Sequence, residues 1–210
     1  MTTPLKDNVY FVLTILWSIA AGTTVTIFAA IPMFQGLVSV FKLSEITFLT
    51  RRTIVYNFDV LMRYLLNPLS NKLVMPDFIS SSAGLKHFLD VKHLFLVAIV
   101  GTILLAVPAV MFVRRRLFIQ FYQGLKIMVL MPVLVGVTSL FGGFDAIFIA
   151  FHELFFRNSD WLFDPVTDPV INILPERFFM LCFIVFGVLY LIFWGGLLIF
   201  TRRSLTHAKN

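Results

Sequence analysis

Two of the four histidines in this chain of 210 residues sit where proton chemistry could be done. His152 lies in FGGFDAIFIAFHELFFRNSDWLFDPVTDP, residues 141–169, where an apolar helix is expected to leave the membrane. Asp145 precedes it by nearly two helical turns, so both side chains are expected on one face. An ionisable group at membrane depth is costly and tends to face a bundle interior or an aqueous cavity, which makes Asp145 a functional candidate. His87 lies in GLKHFLDVKHLF, three positions before Asp90. These two share the first turns of another helix, and the carboxylate can fix the imidazole's tautomer. An imidazole with its ordinary pKa of about 6.5 both takes and gives a proton at neutral pH. Other chemistries lack their residues. Phe156 stands where a His-Glu-x-x-His zinc motif starting at His152 needs its second histidine, and no Gly-x-Ser-x-Gly elbow presents a serine. Two alternatives stay open at this point. One is a metal site built from His87, His152 and Glu153. The other is a non-enzymatic protein, a small transporter or lipid-binding partner, whose histidines sense pH. His93 points elsewhere than the His87 side chain and reads as a solvated interfacial residue.

The elements that position these groups follow from composition. The chain is 59% hydrophobic and 13% charged, with a mean hydropathy of +0.93. That balance excludes a soluble domain and identifies an integral membrane protein. The net charge of +6 comes from basic residues flanking apolar runs, with no nucleic-acid motif, so no nucleic-acid partner is expected. The single cysteine, Cys182, lies inside an apolar run and offers neither a disulfide framework nor a thiolate site.

The fold class expected is an all-α membrane protein in one domain, residues 1–210. Transmembrane helices are placed at about 9–31, 94–113, 127–150 and 178–201, with Pro32 ending the first. That first run reaches roughly 35 Å as a helix, which reads as a retained span and not a cleaved signal peptide. Residues 32–93 and 151–177 form an extracellular cap. Within it, residues 51–66 read as an amphipathic helix with the stripe Ile54, Phe58, Leu61 and Leu65, and residues 35–43 and 73–80 as short strands. Ser80, Ser81 and Ser82 offer an N-cap for the helix that carries His87. Arg114, Arg115, Arg116, Lys126, Arg202, Arg203 and Lys209 flank one set of helix ends, whereas residues 151–177 hold two arginines against five acids. The positive-inside rule therefore puts both termini in the cytoplasm and both histidines on the extracellular face.

The segments YNFDVLMRYL, GLKHFLDVKHLF and FHELFFRNSDWLFDPVTDPVINILPERFF, with four crossings between and around them, resemble the lipoprotein intramolecular transacylase (Lit) family of bacterial membrane enzymes. The resemblance implies a cofactor-independent acyltransferase in a bacterial cell membrane. It would act on a diacylglyceryl lipoprotein in the outer leaflet and move the sn-2 acyl chain to the α-amino group of the N-terminal cysteine, giving the lyso-form. By motif position it also implies that His87 and His152 are the catalytic pair. Asp90, Asp145, Asn158 and Tyr56 are then expected to support them. Phe148, Phe151, Phe155, Trp161, Asp164 and Asp168 are expected to line the substrate pocket, with Phe141 as a further aromatic wall. Acids following His152 should favour its imidazolium and make it the base, while the positive end of a helix dipole should keep His87 neutral. No metal is expected.

Overall fold

The computed structural model describes residues 4–207, the side chains of residues 139–141 and 207 excepted. Lys209 and the Phe141 side chain thus lie outside the described residues. The helices in chain order are α1 (Leu5–Leu37), α2 (Leu43–Thr47), α3 (Arg51–Leu66), α4 (Ser82–Leu104), α5 (Ala106–Arg114), α6 (Tyr122–Phe155) and α7 (Glu176–His207). Short 3-10 turns cover Leu117–Phe121 and Pro169–Ile173. Four stretches are long and apolar enough to cross a membrane: Leu5–Leu37, Ser82–Leu104, Leu117–Thr138 and Glu176–Thr206. This is an all-α, multi-pass membrane protein.

Chain packing divides into two compact units. The first comprises Met1–Val25, Ala98–Gly143 and Ile184–Asn210. Its centre is aromatic: Trp194, fully buried, donates its indole N–H to Ser18 Oγ at 3.0 Å and meets the Phe11 ring edge-on. Trp17 donates to the Thr102 carbonyl at 3.1 Å, and Thr24 and Thr102 share a hydroxyl hydrogen bond of 2.9 Å. Small and hydroxyl side chains thus join helices, as they do where no water is available to satisfy polar groups.

The second unit, Thr26–Val97 with Phe144–Phe183, carries both histidines. Its core stacks Phe34 on Phe58 at 3.8 Å between ring centroids, with Phe178 meeting both edge-on. α1 does not stop at Pro32. Pro32 forfeits one backbone hydrogen bond, but Phe34 and Val38 beyond it are almost wholly buried, and that packing carries the helix on to Leu37. α3 buries Ile54, Phe58, Leu61 and Leu65 along one stripe.

The short strands expected at 35–43 and 73–80 do not form, and the described residues contain no strand. Residues 73–80 run without regular structure, and the Asp77 backbone takes a side-chain partner in place of a ladder. Asn57 Nδ2 donates to Asp77 Oδ2 at 2.7 Å, and Asp77 N–H donates back to Asn57 Oδ1 at 3.3 Å. Buried Lys92 donates to the Ser70 carbonyl and sits 4.5 Å from the Tyr64 ring centroid. Leu73, Met75 and Phe78 are the buried anchors, a spacing that departs from strict alternation.

Candidate active site

α4 begins at a built corner. Ser81 Oγ accepts the Gly84 N–H at 2.9 Å, an N-cap bond. The Ser81 N–H in turn donates to Asp168 Oδ1 at 2.8 Å, and Thr167 Oγ1 donates to Asp168 Oδ2 at 3.0 Å. Gly84 is required here, because a Cβ would stand 2.2 Å from Asp168 Oδ1. Asp168 is therefore a buried clamp at the positive end of the helix, where a carboxylate is favoured. The next turn carries Lys86, paired with Asp160 at 2.6 Å, then His87 and Asp90.

His152 sits in the last turn of α6, past Gly143, whose φ of 74° breaks the helical path as only glycine readily does. The loop after α6 folds back on α4. Asn158 Nδ2 donates to Asp90 Oδ2 at 3.3 Å, Asn158 Oδ1 accepts the Asp160 N–H, and the Asn158 carbonyl accepts the Trp161 indole N–H at 3.0 Å. Asp90, Lys86 and Ser81 thus tie the loop to α4 at successive turns.

These ties bring the two imidazoles together, with ring centroids 5.8 Å apart and both side chains buried. Aromatic rings enclose them. His152 lies 4.1 Å from Phe148, 4.7 Å from Trp161 and 5.7 Å from Phe151. His87 lies 4.7 Å from Phe156 and 5.5 Å from Phe163. His152 Nδ1 is 2.7 Å from the Phe148 carbonyl oxygen, which can only accept, so Nδ1 carries the hydrogen. In the neutral ring the lone pair is consequently on Nε2. His87 Nδ1 is buried with no protein partner.

The electrostatics of His152 differ from expectation. Burial pulls its pKa below the ordinary histidine value, and the bond to the Phe148 carbonyl only partly offsets this. The acids that follow it do not charge it: Glu153 is exposed, Asp160 is engaged by Lys86, and Asp164 is exposed in its own turn, accepting from the Val166 N–H at 2.9 Å.

The remaining expected residues fall at different places. Asp90 does not hold the Nδ1 of His87, which is unpartnered, but receives Asn158. Asp145 is exposed and within hydrogen-bonding reach of Glu176, not joined to His152. Tyr56 is exposed on α3 with the Arg63 guanidinium 5.9 Å from its ring centroid, beside Asp59 and Asp77. Phe155 packs on Phe151 at 4.7 Å and lines an open cleft of about 300 Å³ with Asp90, His93, Phe156, Arg157 and Asn158. Asp164 and Asp168 shape the loop. Sequence reasoning missed Phe88, 5.3 Å from Phe163, and both cross-links, Lys86–Asp160 and Ser81–Asp168. Opposite charges in the two histidine-bearing segments were the only sign of the first. Among the described residues no group of three or more His, Cys, Asp or Glu side chains is placed to hold a metal ion.

Four apolar helices and a buried, aromatic-walled imidazole pair define an integral membrane protein with groups suited to acid–base chemistry. The family model described as lipoprotein intramolecular transacylase Lit matches residues 8–179. The chain belongs to that family, and so to the acyltransferases. Solved structures of the membrane integral lipoprotein intramolecular transacylase Lit from Bacillus cereus share the fold. One superposes with a TM-score of 0.72 at 22% identity, covering 95% of this chain and 99% of the other. A form with a histidine replaced by arginine gives 0.69 at 22% identity, covering 96% and 94%. A form with a histidine replaced by alanine gives 0.68 at 21% identity, covering 96% of both chains. No curated protein matches the chain.

Proposed function

We propose that this protein moves the acyl chain on the sn-2 oxygen of a lipoprotein's diacylglyceryl group to the α-amino group of the same lipoprotein's N-terminal cysteine. The observation that carries this reading is the buried imidazole pair, 5.8 Å between centroids, with His152 Nε2 left as proton acceptor. The amine nitrogen attacks the ester carbonyl carbon, and its proton passes to His152 Nε2. His87 donates a hydrogen bond to the carbonyl oxygen as negative charge develops there. On collapse the carbon–oxygen bond to the glyceryl group breaks, and the proton held by His152 goes to the departing alkoxide. An N–H and an ester become an amide and an alcohol, with no water, metal or cofactor consumed.

Because donor and acceptor belong to one substrate, the protein has chiefly to fold that substrate back on itself. Such positioning can supply roughly 7–11 kcal/mol of a barrier. The rings of Phe148, Phe151, Phe156 and Trp161 exclude the water that would otherwise hydrolyse the ester. Membership of the family supports a bacterial cell membrane location, and the charge pattern supports cytoplasmic termini and a site facing the outer leaflet. The deciding experiment is mass spectrometry of the N-terminal peptide of a lipoprotein from cells with and without this protein. An N-acyl monoacylglyceryl cysteine only in the expressing cells is expected, and a diacylglyceryl cysteine with free amine in both refutes the assignment.

A further inference from the structure

Beside the histidines lies a carboxylate that the chemistry above does not use. Asp90 is half-buried on the wall of the cleft of about 300 Å³, one turn after His87 on α4. Its hydrogen bond from Asn158 Nδ2 is long, at 3.3 Å. The ion pairs among the described residues are Lys42–Glu45 and Lys86–Asp160, so Asp90 has no salt-bridge partner of its own. Lys86, one turn earlier on the same helix face, feels the charge of Asp90 but is paired directly with Asp160. Arg157 and His93 line the cleft as well, yet neither forms a salt bridge with Asp90. A half-buried carboxylate with no ion pair of its own can accept a charge-assisted hydrogen bond from an arriving cation.

We propose that Asp90 is the seat of the substrate's α-ammonium group. The inference rests on the transacylase reading. The N-terminal amine of a lipoprotein has an ordinary pKa of about 7.7–8.0, so at neutral pH the substrate arrives mostly as a cation. Asp90 receives that cation and Asn158 holds the carboxylate in place. Phe156 joins this seat to the reaction centre, since it lines the cleft and its ring lies 4.7 Å from His87 and 5.6 Å from His152. Side chains three positions apart on a helix stand about 5–6 Å apart at Cβ, so once the docked ammonium has given one proton to solvent at the open cleft, the neutral amine is within a short swing of the imidazoles. The seat selects a free amino terminus: an amine already acylated carries no charge and gains nothing from Asp90. The reaction product is therefore released from the same place at which its precursor is captured.

The test uses the full-length protein in detergent and a diacylglyceryl-cysteine lipopeptide whose esters are replaced by ethers, so that it binds without reacting. A twin carries hydrogen in place of the α-amino group. The wild type is expected to bind the amine form about tenfold more tightly at pH 6.5, the scale of one charge-assisted hydrogen bond. Asp90→Asn is expected to bind the two forms alike. The wild-type preference should also fade at pH 9.5, where the amine is uncharged, which tests the seat even if the variant fails to fold. Ester lipopeptide transacylated by a wild type that binds both ether forms equally overturns the seat and leaves the activity standing. Retained preference in folded Asp90→Asn, or preference undiminished at pH 9.5, overturns it too. If the ester lipopeptide is neither bound nor converted, both readings fall.

Discussion

A buried imidazole whose Nδ1 is spent on a backbone carbonyl can trade protons only at Nε2, and this separates the duties of His152 and His87. Glutamine keeps a hydrogen-bond donor but cannot carry a proton. His152→Gln should therefore abolish transacylation, while His87→Gln keeps a measurable fraction, because it retains a donor for the developing oxyanion, whose full loss would cost about 10²–10³ in rate, and leaves the base intact. The reverse pattern in well-folded variants exchanges the roles. The pH behaviour follows from burial. The His152 pKa is lowered in the folded protein, so its ring stays neutral down to a pH below about 6.5, the ordinary histidine value. Protonation there removes the base, so the His152 limb of the activity profile should lie on that acid side, below the separate fall that protonation of the substrate amine imposes from about 7.7–8.0 downward. Nuclear magnetic resonance of ¹⁵N-labelled histidine checks both points: a neutral, Nδ1–H ring at pH 6.5 is expected, and a ring half-charged at pH 7 is not compatible with this account. Both histidines were legible in the sequence because ionisable residues are conspicuous among apolar ones. The direction of the pKa shift was not, since it depends on whether the neighbouring acids turn inward, and Glu153 and Asp164 turn out.

At the scale of elements, the site depends on where α4 starts. The serine N-cap could be read from three consecutive serines, but its buried partner Asp168 lies in another segment, and no local pattern announces such a pairing. The amphipathic α3 was legible because its stripe repeats at helical spacing, whereas residues 73–80 were misread as strand because side-chain hydrogen bonds such as Asn57–Asp77 leave no period in sequence. Gly84→Ala should displace Asp168 and shift the first turns of α4, and with them His87. The cost is expected to be about 1–3 kcal/mol, the range for overpacking a filled site. Asp168→Ala orphans the buried Ser81 N–H, with a similar loss of about 1–3 kcal/mol. Thermal unfolding in detergent reads both. A Gly84→Ala protein with unchanged midpoint and activity would show that the corner does not set the position of His87. Asp145→Asn should be milder than either histidine change, since Asp145 is exposed and apart from the pair. Inactivity in a stable Asp145→Asn variant would give that carboxylate a direct chemical part.

For the whole molecule the governing quantity is the placement of charge along the chain. Four candidate spans among the described residues are the even number that the proposed cytoplasmic N- and C-termini require, and the arginines at 114–116, 202 and 203 lie beside helix ends. Basic residues in short flanking stretches are retained in the cytoplasm, whereas the loop with five acids and two arginines is free to cross. The helices themselves were legible from hydropathy. Their lengths were not all so, because burial of Phe34 and Val38 carries α1 beyond Pro32, whereas Pro108, which cannot donate to the Leu104 carbonyl, splits the second apolar run at Leu105 into α4 and α5. The orientation can be measured with single cysteines in a Cys182→Ala background. Leu69→Cys lies in the segment between the first two spans, 85% exposed, and Thr206→Cys near the end of α7 is also exposed. An impermeant maleimide should label Leu69→Cys in intact cells and Thr206→Cys only after permeabilisation. The opposite result would turn the histidine pair toward the cytoplasm, away from lipoproteins anchored in the outer leaflet, and a transacylase acting there would have to meet its substrate before export.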